Sequence, residues 1–239
     1  MKQSEVTFLN WVKAGLRLLG CRPGVWLSYL LVMTVLLSVG RISLALGIIL
    51  STVSFLMTVS MAAYVDPEQS NQSCKVFIKM MRSHLPVAFS MAVMLALCWL
   101  VFRAIFNVYS GEPEKIMSFF FDWQLVDQSI FDQGVREYLG WLFRAAIVTL
   151  IFLVLMLTSF VSWFSYPLMT CQGFNWVQAK HRGKAMTQAF HGVCQKQLAF
   201  SFFLAIVGTG LFPLLTPLIY IVVGVLLYAS FADISRHYS

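Results

Sequence analysis

PVAFSMAVMLALCWLVFRAIFNVY, residues 86–109, carries a single formal charge, Arg103. A helix needs about 20 mostly apolar residues to cross the hydrocarbon core of a bilayer, and this stretch meets that length. Outward from it, five more apolar blocks read the same way, at roughly 24–40, 42–65, 139–167, 197–212 and 214–231. Composition points in the same direction. The chain has 59% hydrophobic and 11% charged residues, where soluble domains carry about 25% charged, and its mean hydropathy is +0.77. Lipid offers the backbone no hydrogen-bond partner, so such blocks must satisfy their own amides as helices. The expected fold is therefore all-α: a polytopic integral membrane protein, residues 1–239 forming one transmembrane domain with six spans.

The spans pair as three hairpins. The first turns at Gly40 and Arg41, and the last, whose two spans are short, turns at Pro213. A basic amphipathic stretch precedes each hairpin: Phe8 to Leu19, Cys74 to Leu85 and Phe174 to Val193. In the first, Phe8, Leu9, Val12, Leu16 and Leu19 recur at helical spacing opposite Lys13 and Arg17. In the second, Val76, Phe77, Met80 and Met81 oppose Lys75, Lys79 and Arg82. Helices of this kind lie in the headgroup plane with the apolar side down. The expectation is three units, each an interfacial elbow helix followed by a transmembrane hairpin.

Positive charge sets orientation. Twelve of the 17 Lys and Arg residues fall at the N-terminus, the C-terminus, or the loops after the second and fourth spans; Arg41, Arg103, Lys115, Arg136 and Arg144 are left for the other side. Both termini are then expected in the cytoplasm of a bacterial-type inner membrane. The opposite-side loop, 110–138, holds six acids together with Phe119, Phe120, Phe121, Trp123, Phe131 and Tyr138, aromatics expected to anchor at the interface; a docking surface is the alternative. No short apolar region near the N-terminus ends in a small-residue cleavage site, so the first span is expected to act as an uncleaved insertion signal. The net charge of +7 is scattered between apolar blocks. It reads as a topology determinant, and nucleic acid is not an expected partner. Five cysteines, an odd number without close pairs, give no disulfide framework.

Four short runs carry a resemblance: Met61-Ala-Ala-Tyr-Val-Asp66, Ser162-Trp-Phe-Ser-Tyr-Pro-Leu168, the amphipathic Gln178 to Phe190 segment, and Tyr228-Ala-Ser-Phe-Ala-Asp233. On these the chain resembles a family of uncharacterised proteobacterial inner-membrane proteins with about six transmembrane helices. The resemblance implies architecture and brings no catalytic residues with it.

Chemistry inside a bilayer is usually marked by buried ionisable groups. The six apolar blocks hold no Asp, Glu, Lys or His near their centres. Arg41, Arg103 and Arg144 form a set of outer-boundary cations. Arg103 and Arg144 lie within about two turns of a span end, where a guanidinium snorkels to the headgroups. On the second span Ser43, Gly47, Ser51, Ser54 and Thr58, continued by Ala62, recur in steps of three and four. Such a stripe lets another helix approach closely; a polar pore lining is the alternative. Cys171, His181, His191 and Cys194 share one loop but lack the C-x-x-C knuckle of a zinc site. No nucleophile elbow, P-loop or dinucleotide fingerprint is present. No catalytic residue, metal or cofactor is therefore expected. The first functional expectation is a non-enzymatic scaffold or accessory subunit that associates with itself or another membrane protein. A channel or small-molecule transporter is second, and a membrane-embedded enzyme third.

Overall fold

The computed structural model describes residues 6–67, 74–112, 115–116, 120, 135–158, 162–210 and 212–238, and all regular structure among them is helical. Helix α1 (Phe8–Cys21) opens on Thr7, whose hydroxyl accepts from the Asn10 amide at 3.4 Å, satisfying one of the free amides of a first turn. It stops at Arg22, because a following proline disfavours helical dihedrals in the residue before it. Pro23 then starts α2 (Pro23–Ser38), and the two axes meet at 93°. The indole of Trp26 donates to the Leu18 carbonyl at 3.1 Å across this elbow.

Helix α3 (Leu44–Val65) is capped by the Ser43 hydroxyl, which accepts from the Leu46 amide. Then come α4 (Cys74–Tyr109), α5 (Val135–Met156), α6 (Ser165–Cys171), α7 (Trp176–Ala189) and α8 (His191–Gly210). A 3-10 turn at Pro213–Leu215 leads into α9 (Thr216–Tyr238). A reciprocal capping box between Asn175 and Gln178 starts α7, and α8 leaves it at 99°.

Helices α3 and α9 form the centre, with α2, α4, α5 and α6 against α3 and with α1 and α8 against α9. At Gly224 an added Cβ would stand 2.8 Å from the Thr58 side chain, so only glycine permits this approach of α9 to α3. Phe55 and Tyr220 meet edge to face at 6.3 Å in the same contact. Helix α4 packs mainly along one side, on α3: 22% of its most apolar window is buried, against 67% for α3 and 78% for α9.

Three helices are each long and apolar enough to cross a membrane, Leu44–Val65, Phe77–Tyr109 and Pro213–His237. Counting each bent pair as one span raises this to five. The described apolar stretch in α5 is the shorter Ala146–Met156. All six apolar blocks lie on helices, but two details of the expected arrangement need correction. First, the stretch at 74–85 is no separate elbow. It is continuous with the following block as one 36-residue helix through Pro86. Pro86 removes one hydrogen bond, to the carbonyl of Arg82, and both residues are exposed on the bundle. Second, the block at 139–167 is not one helix. Helix α5 ends at Met156, Ser162 adopts φ +124°, and α6 begins only at Ser165. Helices α1/α2 and α7/α8 are bent at 93° and 99°; the interfacial elbows and the three-hairpin, six-span arrangement are finer readings than these helices establish.

Candidate functional site

Helix α1 packs against α9 at one end of the bundle, and two buried hydrogen bonds to carboxylates lie there. Helix α1 turns Trp11, Gly15 and Leu18 inward, at helical spacing. Gly15 lets it lie close on α9, since an added Cβ would stand 3.3 Å from Leu226 Cδ2. This inward face differs from the apolar face read from the sequence: Leu9 and Leu16 are 67% and 64% exposed, so α1 has one protein-facing stripe and one left for an apolar surrounding.

Trp11 Nε1 donates to Asp233 Oδ2 at 2.7 Å, and Tyr228 Oη donates to Asp66 Oδ2 at 2.8 Å. Both aromatic donors are buried, and Asp66, the first residue past α3, is 7% exposed. Bonds of this kind to a carboxylate are the stronger class. Around them lies a cavity of about 340 Å³ whose lining includes Asp66, Asp233, Lys13, Arg17 and Arg236. Two carboxylates and three cations thus share one small space, suited to a ligand bearing charges of both signs.

A second polar group lies between α3, α4 and α6. His84 Nδ1 is 2.8 Å from Ser60 Oγ, which is 3.1 Å from Tyr166 Oη. The hydroxyl–imidazole pair has the residue types of a nucleophile and its base. Ser60 is fully buried, however, and shares its hydroxyl with Tyr166, so the group acts as a tie between three helices. Tyr29 makes a similar tie, donating to the Ser54 carbonyl of α3 at 2.6 Å.

The stripe residues Ser43, Ser51, Ser54 and Thr58 are buried at 3% exposure or less. Gly47 faces the turn between α2 and α3, where its added Cβ would stand 2.2 Å from Gly40 Cα. They therefore lie inside one chain, against that turn, α2 and α9. Arg103 is half-buried on α4, while the side chains of Arg41 and Arg144, and most of the 110–138 loop, lie outside the described residues. Among the described residues no three of His, Cys, Asp and Glu gather to hold a metal ion, so Cys171, His181, His191 and Cys194 form no such group. Burial pushes the Cys171 thiol up to about 11, against the lowering effect of its Thr170 neighbour, so the free side chain is a thiol at neutral pH.

Sequence reasoning passed over Asp66, Asp233, Trp11, Tyr228 and His84. The available signal was that Asp66 and Asp233 are acids ending apolar runs, each closing one of the four runs that carry the family resemblance.

These features define a helical protein with membrane-length apolar helices and a mixed-charge cavity at the end of the bundle where α1 packs against α9. No protein-family model matches the chain, and neither a curated protein nor a solved structure matches it significantly.

Proposed function

We propose that this protein is a non-enzymatic scaffold or accessory subunit of a membrane complex, associating with itself or with another membrane protein. The observation that carries this reading is the outer face of α4, where Phe89, Met94, Val101, Phe102, Ile105 and Phe106 are each more than half exposed. Lipid alone can cover such a face, but a long helix packed mainly along one side is also the one most open to a neighbour. The buried polar ties support the same reading, because Tyr29, Ser60, Tyr166 and Tyr228 spend their hydroxyls holding helices together. Mass measurement in lipid nanodiscs, paired with a solute-flux assay in liposomes, is expected to give an assembly larger than one chain and no selective flux. A single chain with selective flux would sink the proposal.

That outcome would favour a channel or small-molecule carrier, the second reading, for which the mixed-charge cavity speaks. In either case the proposed setting is a bacterial inner membrane, crossed six times with both termini cytoplasmic. Arg41, Arg103 and Arg144 are then the cations of the outer boundary. The twelve-to-five division of cations supports this orientation. In a background without native cysteines, single cysteines at Gln3 and Gln188 should be labelled from the cytoplasmic side and one at Gln128 from the opposite side. Labelling of all three from one side would rule out the six-span topology.

A further inference from the structure

A groove of about 830 Å³ runs between α2 and α4, with Met57, Met61 and Tyr64 of α3 along its floor and Val32 and Phe77 on its walls. The two α2 hydroxyls along it are already spent, Tyr29 on the Ser54 carbonyl and Ser28 on the Gly24 carbonyl. Its α2 wall runs from Gly24 to Val32, about 12 Å at 1.5 Å per residue, from the elbow into the apolar part of the bundle. At the elbow the Arg22 guanidinium lies 5.8 Å from the centroid of the Tyr64 ring. Among the described residues that guanidinium faces no carboxylate. Arginine stays charged at all relevant pH, and a planar guanidinium suits phosphate.

An apolar groove with the Arg22 guanidinium over the ring of Tyr64, one of its lining residues, selects an amphiphile with a long apolar chain and a negative head. We propose that this groove holds one acyl chain of an anionic phospholipid from the surrounding bilayer, with the lipid phosphate on Arg22. The site does not depend on the scaffold reading, since it needs only the α2–α3–α4 packing of a single chain. The charge selects the lipid class and the groove selects the chain.

The test uses the full-length protein, stripped of lipid in a neutral detergent and titrated with phosphatidylglycerol, phosphatidylcholine of identical chains, or oleate, with bound adducts counted by native mass spectrometry. One phosphatidylglycerol per chain is expected, with the choline lipid weaker by about fivefold, the effect of one cation near an anionic headgroup. Arg22→Gln should remove that preference, and Arg22→Lys should keep most of it. Val32→Trp extends from a wall position that is 54% exposed, and should block both lipids without lowering the melting temperature. If Val32→Trp fails to fold, the preference ratio in Arg22→Gln decides alone. Equal binding of the two phospholipids, unchanged by Arg22→Gln, would mean only unselective surface lipid and would overturn the proposal. So would oleate binding more tightly than phosphatidylglycerol, or a dimer that Val32→Trp dissociates, which would make the groove an interface between two copies.

Discussion

Gly47→Leu is expected to leave almost no folded protein, while Leu50→Ile, three residues along the same helix, should accumulate like the parent. At Gly47 the nearest atoms to an added Cβ are backbone, Gly40 Cα at 2.2 Å and Gly40 N at 3.0 Å. Overpacking a core against side chains costs about 1–3 kcal/mol because rotamers absorb part of the clash. Here there is no rotamer to move. Relief requires pulling α3 away from the turn at 39–41, which is the link between α2 and α3. Ser51→Leu should fall between the two variants, since Ser51 is fully buried but has side chains among its neighbours. Fluorescence-detected size-exclusion chromatography of tagged variants reads the folded yield directly. A monodisperse Gly47→Leu peak at parental height would show that Gly40 and Gly47 do not pack together, and the α2–α3 arrangement would have to be redrawn.

The helical class was legible because it follows from local facts. A block such as 86–109 has one charge and membrane length, and lipid admits few backbone solutions. The first helix was legible from the helical spacing of Phe8, Leu9, Val12, Leu16 and Leu19, and its break has a local cause, since Pro23 acts on its neighbour Arg22. The second was misread because Pro86 was taken as a boundary. A proline ends a helix only when losing one hydrogen bond is worse than losing the continuation. The break after Met156 had no legible signal, because Ser162 at φ +124° is a non-glycine in a region such residues rarely adopt.

The polar site was illegible for a different reason. Asp66 and Tyr228 are 162 positions apart, and Trp11 and Asp233 are 222 apart. Periodicity reports which face of a helix is apolar, and it cannot report which distant helix that face will meet. The stripe on α3 could be seen because all its members share one helix. The Tyr166–Ser60–His84 tie could not, since its members come from three helices that only the packed bundle brings together.

Breaking the Asp66–Tyr228 bond should destabilise the bundle by about 1.5–3 kcal/mol, the range for a hydrogen bond to a charged group. Tyr228→Phe removes the donor and leaves the carboxylate short of one partner at a position 7% exposed. Asp66→Ala removes the acceptor and strands a phenol that is 1% exposed. Tyr228→Phe costs the carboxylate this bond and Asp66→Ala strands the phenol, whereas the double variant leaves neither polar group of the pair behind. The double variant should accordingly be much less destabilised than the sum of the singles, a coupling that a double-mutant cycle on thermal unfolding in nanodiscs measures. Additivity within about 0.5 kcal/mol would mean that the two side chains do not interact. Asp66→Asn separates structure from ligand chemistry, because the amide oxygen still accepts from Tyr228 while one of the cavity's two negative charges is lost. Under the scaffold reading Asn should restore most of the stability and leave the assembly mass unchanged. If Asn restores stability but abolishes a selective flux that the parent supports in liposomes, the carboxylate serves a ligand in that cavity, and the carrier reading replaces the scaffold.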